Sequence, residues 1–200
     1  MIHRDEIGFK ILTPIVKTYF KLFYKPTVYG AENIPKTGPV IFCGNHKHTH
    51  DQFNVMIVTK RPIHYMAKDE YFKKWYTAWF FKMACCIPVD RSKKDENAKS
   101  KAREILERGS ALGIFPEGTR NKTIGTPEEV DLLPFKFGAV SLAKKCNALV
   151  VPFGISGEYT GKKGNLTTRI GKPIDVSDMD LEEANEVLRK NILKLMKKSK

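Results

Sequence analysis

The chain reads as a single α/β domain, and three observations predict it. Short apolar runs alternate with helical patterns along the sequence, as in a sheet with helices packed on it. Two hundred residues suit one domain of ordinary size, whose core needs no disulfides. The apolar share of 42% is that of a globular protein.

The elements follow in order. Residues 5–25 are aromatic and basic at once. Thr13 and Pro14 predict a helix start, as N-cap and first helical position. Val16, Tyr19, Phe20 and Phe23 then share one face, and Lys17, Lys21 and Lys25 recur on another. This pattern fits an amphipathic helix lying in a membrane interface. It also fits a helix packed on its own domain. Gly30 to Pro39 is punctuated by Gly and Pro and predicts turns. Val40 to Cys43 predicts a short buried strand, and from Asp51 the spacing of Phe53, Met56 and Ile57 predicts a helix.

Residues 71–83 are dense in aromatics, Trp75 and Trp79 among them, interleaved with Lys73, Lys74 and Lys82. That mixture fits a membrane–water boundary, the wall of an apolar tunnel or ordinary core packing. Ile87 to Val89 is an apolar segment ending on the charge pair Asp90–Arg91. Residues 92–109 predict a polar helix closed by Gly109. Ala111 to Phe115 predicts a strand, 139–145 a helix and 148–153 another strand. Ser177, with Asp180 three residues on, predicts the cap of a last helix. Its apolar face is Leu181, Ala184, Leu188, Ile192 and Leu195. Lys194, Lys197, Lys198 and Lys200 gather where they suit a helix C-terminus.

Charge narrows the partners. Lys and Arg number 35 against 22 Asp and Glu, a net +13. Anionic lipid, an acidic protein or nucleic acid would use that excess. No nucleic-acid-binding motif is present, so nucleic acid is not an expected partner. No uncharged apolar stretch approaches the roughly 18 residues of a membrane span. Membrane contact is therefore expected to be peripheral. Early charged residues argue against a secretory signal. Cys43, Cys85, Cys86 and Cys146 form no C-x-x-C pair. They read as reduced thiols packed as small hydrophobes in a cytosolic protein, with a Cys85–Cys86 disulfide as the weaker alternative.

Two segments carry chemistry. The first is Gly44-Asn45-His46-Lys47-His48-Thr49-His50-Asp51, directly after a predicted strand. Five residues on an ideal helix turn about 140° beyond one revolution, so His46 and Asp51 would not share a helical face. They meet if His46 precedes the helix and Asp51 lies in its first turn, a strand-to-helix junction where α/β proteins place active sites. A carboxylate bonded to one ring nitrogen fixes the tautomer and leaves the other nitrogen free to take a proton. The rival reading is a metal site, because Cys43, His46, His48, His50 and Asp51 are all possible ligands. No second ligand cluster accompanies them, and His3 and His64 are isolated. A purely structural role for the histidines is the third reading.

The second segment is Phe115-Pro116-Glu117-Gly118-Thr119-Arg120. Gly118 permits a tight turn. Arg120 offers a fork of donors suited to phosphate oxygens. Glu117 would orient that arginine or bind a substrate hydroxyl, and Arg91 and Lys68 would add positive charge. The plain alternative is a loop ion pair between Glu117 and Arg120.

Asn45-His46-x-x-x-x-Asp51, Ile87-Pro88-Val89-Asp90-Arg91, Phe115-Pro116-Glu117-Gly118-Thr119-Arg120 and Val151-Pro152 together resemble the ordered blocks of the glycerolipid acyltransferases, in particular the bacterial 1-acyl-glycerol-3-phosphate acyltransferases. Met66 to Glu70 and Phe135 to Ala139 resemble family segments between the blocks. The match spans roughly residues 28–175. The resemblance implies a mixed sheet flanked by helices, held on the cytoplasmic face of the membrane. It divides the chain into a membrane-associating segment, 1–27, and a catalytic domain, 28–200.

It also implies that His46 is the base, that Asp51 supports it, and that the acceptor is a lysophosphatidic acid. The donor would be acyl-CoA or an acylated carrier protein. Arg120, with Glu117 and Gly118, would hold the phosphate, assisted by Lys68 and Arg91. Backbone N–H groups near Ile87 and Val89 are the expected oxyanion donors. No metal and no organic cofactor is expected. Two positions depart from the family pattern: His48 stands where Ser is usual, and Cys85 where the second block usually opens with Gly. Both bear on acceptor choice and acyl-chain fit.

Overall fold

The computed structural model describes residues 6–90, 92, 95–122, 131–162 and 165–197. Its elements in chain order are α1 (Ile7–Phe23), β1 (Thr27–Tyr29), β2 (Val40–Gly44), α2 (Phe53–Met56), β3 (Ile63–Lys68), α3 (Trp75–Met83), β4 (Ile87–Val89), α4 (Glu96–Glu107), β5 (Ala111–Ile114), α5 (Gly138–Lys145), β6 (Leu149–Ser156), β7 (Thr167–Ile170) and α6 (Leu181–Lys197). The strands form one seven-stranded sheet in the order β1-β7-β6-β2-β5-β3-β4. β2 runs parallel to both its neighbours, β5 and β6. β3 and β4 continue the parallel set. β7 is antiparallel to β6, and β1 is parallel to β7. The sheet is mixed, as expected.

β2 is buried at every position, which is why its sequence is an unbroken apolar run. Its side chains alternate between two cores. Ile41 and Cys43 pack with residues of α4, α5 and α6. Val40 and Phe42 pack with Phe9, Leu12, Val16 and Phe20 of α1 and with Val55 and Met56 of α2. The C-terminal ends of β2, β3 and β5 therefore open on one edge, between two layers of helices.

Several local expectations shift. α1 starts well before Thr13, and Pro14 lies inside it. The Thr13 hydroxyl bonds the Phe9 carbonyl at 2.6 Å instead of capping the helix. The apolar residues of α1 split into two faces. Phe9, Leu12, Val16 and Phe20 are buried, whereas Ile7, Ile11, Ile15, Tyr19, Leu22 and Phe23 face outward. The buried face is that of a helix packed on its own domain, and the outward face is apolar. α4 begins at Glu96, where the Asp95 side chain accepts from Ala98 N at 3.0 Å. α6 is capped by Asp180, which accepts from Glu183 N at 2.7 Å, and not by Ser177. Met196 takes the buried place expected of Leu195.

In α3 only Ala78 is buried, and Trp75 and Trp79 are 83% and 60% exposed. All four cysteines are free thiols. Among the described residues no helix is long and apolar enough to cross a membrane.

Candidate active site

The site begins where β2 ends. Asn45 is buried and pairs with the backbone of Ile155 in β6, donating to its carbonyl at 2.9 Å and accepting from its N–H at 2.7 Å. This amide replaces a ladder step and fixes how the chain leaves the sheet. His46 comes next, with its side chain 20% exposed. Its Nδ1 lies 2.9 Å from Asp51 Oδ2. The same carboxylate oxygen accepts from the backbone N–H groups of Lys47 at 2.6 Å and His48 at 2.7 Å. Asp51 itself is fully buried. A buried carboxylate needs several donors, and the tight loop from 46 to 51 supplies them.

With an acceptor-only partner on Nδ1, the imidazole carries its proton there. Nε2 is left as the basic nitrogen. The ring is stacked on Phe115 at 4.1 Å and 11°, and Phe115 is in turn stacked on Tyr65 at 5.8 Å. Tyr65 lines a small apolar cavity together with Phe9, Met56, Phe80, Ala84 and Cys86. Two aromatic rings therefore separate the imidazole from an apolar space beneath it.

The Phe115–Arg120 segment follows β5, beside β2. Gly118 N donates to Phe115 O at 2.9 Å, and Gly118 has φ 71°. That left-handed turn is where glycine is favoured. Glu117 is buried, and its carboxylate points at the histidine loop instead of at Arg120. Oε1 accepts from His46 N and Oε2 from Leu133 N, both at 2.9 Å. Burial pushes the Glu117 carboxyl up, and the two N–H donors oppose that rise. Glu117 is thus a clamp between two loops. Asn121 adds a second tie, its N–H donating to His46 O at 2.6 Å.

The positive charges lie on the rim. Lys68 ends β3 and is exposed, as is Arg120. Neither makes an ion pair with another described residue. Lys136 belongs with them: a Cβ added at Gly118 would sit 2.9 Å from its Cε and 3.0 Å from its Nζ. Arg91 lies outside the described residues. Ile87 and Val89 are in β4, three strands from β2 in the sheet order.

The other two histidines are engaged separately. His50 Nδ1 lies 3.0 Å from the Tyr24 hydroxyl. Burial, then neighbouring His48, lowers the pKa of His50. His48 Nδ1 accepts from His50 N at 3.2 Å, and its ring stacks on Tyr159 at 4.2 Å. Among the described residues no group of three His, Cys, Asp or Glu side chains is placed to hold a metal ion.

Three residues escape a reading of the sequence. Tyr159 donates to Asp51 Oδ1 at 2.6 Å, Asn121 holds the His46 carbonyl, and Lys136 overlies Gly118. Each comes from a distant part of the chain, so no short spacing ties it to His46.

A buried carboxylate on an imidazole, clamped to a Gly-turn segment and rimmed by cations, has the chemistry to move a proton beside an anionic group. Comparison with known proteins gives the family. The acyltransferase family matches residues 25–156. The 1-acyl-sn-glycerol-3-phosphate acyltransferase of Bacillus subtilis is 31% identical over 175 residues, covering 85% of this chain and 84% of that protein. The protein of the same name from Saccharomyces cerevisiae is 30% identical over 174 residues, covering 82% of this chain and 56% of that protein. The crystal structure of the 1-acyl-sn-glycerophosphate acyltransferase PlsC from Thermotoga maritima shares the fold. Its TM-score is 0.73 at 24% identity, over 100% of this chain and 86% of that one. The chain belongs to the acyltransferase family.

Proposed function

We propose that the protein transfers a fatty acyl group from an acyl thioester to the 2-hydroxyl of a 1-acyl-glycerol 3-phosphate, giving phosphatidic acid. The observation that carries this is the geometry around His46. Nδ1 is held by Asp51, the backbone is held by Glu117, and Nε2 is left to work. His46 Nε2 takes the hydroxyl proton as the oxygen attacks the thioester carbonyl. The C–S bond breaks, and the imidazolium returns the proton to the departing thiolate. General-base help of this kind contributes roughly 10²–10⁴-fold. Arg120, Lys68 and Lys136 grip the phosphate, and the sequence assigns Arg91 to the same task. Gly118 keeps the turn low enough for the anion to approach. The name borne by the Bacillus and yeast relatives supports this acceptor. No organic cofactor or metal enters the scheme.

The enzyme works from the cytoplasmic face of the cell membrane, as a peripheral protein. Residues 1–27 form the membrane-associating segment and 28–200 the catalytic domain. In support, Ile7, Ile11, Ile15 and Leu22 of α1 and Trp75 and Trp79 of α3 are exposed, with Lys10, Lys17, Lys21, Lys73 and Lys74 exposed beside them. The deciding experiment offers purified protein acyl-CoA and acylated carrier protein with a panel of acceptors, followed by mass. Product from lysophosphatidic acid supports the reading. Product only from glycerol 3-phosphate or from another lysophospholipid moves the acceptor, and no acylated product sinks it.

A further inference from the structure

We propose that Tyr159 is a positioning residue for His46, acting through Asp51 as the last donor in a one-way chain of hydrogen bonds that starts on β7. This rests on His46 being the base. Three links run one way into Asp51, and His46 donates to the same carboxylate from the other side. The Thr168 hydroxyl donates to Asn54 Oδ1 at 2.9 Å. Asn54 Nδ2 donates to the Tyr159 oxygen at 2.8 Å and to the Asp51 carbonyl at 3.1 Å. The Tyr159 hydroxyl donates to Asp51 Oδ1 at 2.6 Å. Asp51 Oδ2 accepts from His46 Nδ1.

The direction of the chain follows from its ends. A backbone carbonyl only accepts, so the Asn54 amide must turn its NH2 toward Asp51 O. That same NH2 then feeds the Tyr159 oxygen, and the phenol proton is left for Asp51. A carboxylate also only accepts, so the proton on His46 is held at Nδ1 and the lone pair at Nε2. Thr168, Asn54 and Asp51 are fully buried, so water does not compete for these bonds. Burial first, and then the nearby Asp51 charge, push the Tyr159 phenol up, and its proton stays on oxygen.

Other polar groups face the chain without joining it. His48 stacks on the Tyr159 ring, and Tyr24, just past α1, meets that ring edge-on at 5.2 Å. His50 is tied to Tyr24. Lys47 reaches away to Gly157 O and Glu158. Glu117 approaches His46 from the β5 side through its backbone N–H. Tyr65 of β3 is kept protonated by burial.

The test replaces Tyr159 by Phe in the full chain. Phe keeps the ring contacts and removes the hydroxyl, which is the donor to Asp51 and the acceptor from Asn54; Asn54 Nδ2 keeps its bond to the Asp51 carbonyl. Asp51 Oδ1 then lacks its side-chain partner, and the buried dyad holds its proton more tightly. In Tyr159→Phe, kcat should fall about tenfold with the acceptor KM unchanged. The acid limb of the pH–rate profile, and the His46 titration midpoint read by nitrogen NMR, should both move to higher pH by about half a unit to one unit. Thr168→Val loosens only Asn54 and should shift the midpoint less, in the same direction. It carries the test if the Phe variant does not fold. An unmoved midpoint overturns the inference, even if kcat and thermal stability drop together. Continued turnover by His46→Ala would instead remove the base, while the midpoint measurement still reports on Tyr159.

Discussion

The loop after β2 and the rim around it are built in opposite ways. In the loop, nearly every polar group already has its partner: Asp51, Asn45, Glu117 and the backbone from 46 to 48 are all engaged within the protein. On the rim, Lys68, Arg120 and Lys136 are exposed and form no ion pair with another described residue. On the proposed reading, the proton-moving end is therefore fixed before substrate arrives, and the anion-gripping end is completed by the substrate. A site assembled this way should split its mutants cleanly. Changes in the loop should strike kcat, and changes on the rim should strike KM.

The largest effect should come from His46→Ala. Loss of the base should lower kcat by about 10²–10⁴-fold while acceptor binding stays near normal, measured by steady-state kinetics. Substantial turnover would move the base elsewhere. Next is Arg120→Ala. Charge-assisted hydrogen bonds to phosphate are worth about 1.5–3 kcal/mol, so the acceptor KM should rise roughly tenfold or more with kcat little changed. An equal fall in kcat would break the division between loop and rim. Glu117→Gln should cost less, about tenfold in kcat. Gln retains one acceptor for His46 N or Leu133 N but presents an NH2 to the other. Because Glu117 bonds backbone and not Arg120, its acceptor KM should not change. A KM effect matching that of Arg120→Ala would return Glu117 to the phosphate site.

How much of this was legible in the sequence follows the same division. The β2 run, the His46–Asp51 pair and the Phe115–Arg120 turn are local patterns, and local patterns can be read from spacing. Ile41 and Cys43 alternate with Val40 and Phe42 because a strand has period two, so both cores were implicit in four letters. Glu117 shows where reading stops. Its presence was evident, yet its role depends on how β5 aligns beside β2, which only the paired sheet determines. Tyr159 is further still, reached through the β6–β7 connection, and no spacing from His46 predicts it. α1 misled differently. Thr13 and Pro14 are a sound start signal, but burial of Phe9 and Leu12 extends the helix past it. Tertiary packing outweighs a local stop worth a few kcal/mol.

α1 repeats the contrast in miniature and yields the smallest effect. One face is closed: Phe20 is fully buried and its ring meets those of Phe53 and Tyr159 at 5.7 and 6.3 Å. The other is open, with Ile15 63% exposed. Val16→Ser should therefore destabilise the fold, and with it the site, by about 2 kcal/mol or more, seen as a lower thermal midpoint. Ile15→Ser should leave the midpoint alone and weaken binding to anionic vesicles about fivefold, because an isoleucine side chain gains about 1.5 kcal/mol or more on full burial and lies only partly in an interface. Added salt should weaken vesicle binding of both the parent and Ile15→Ser by a similar factor, since the lysines beside the stripe are unchanged. Equal binding to neutral and anionic vesicles at low salt would leave the lysines without that role. Unchanged binding by Ile15→Ser would mean that this stripe of α1 does not meet lipid at all.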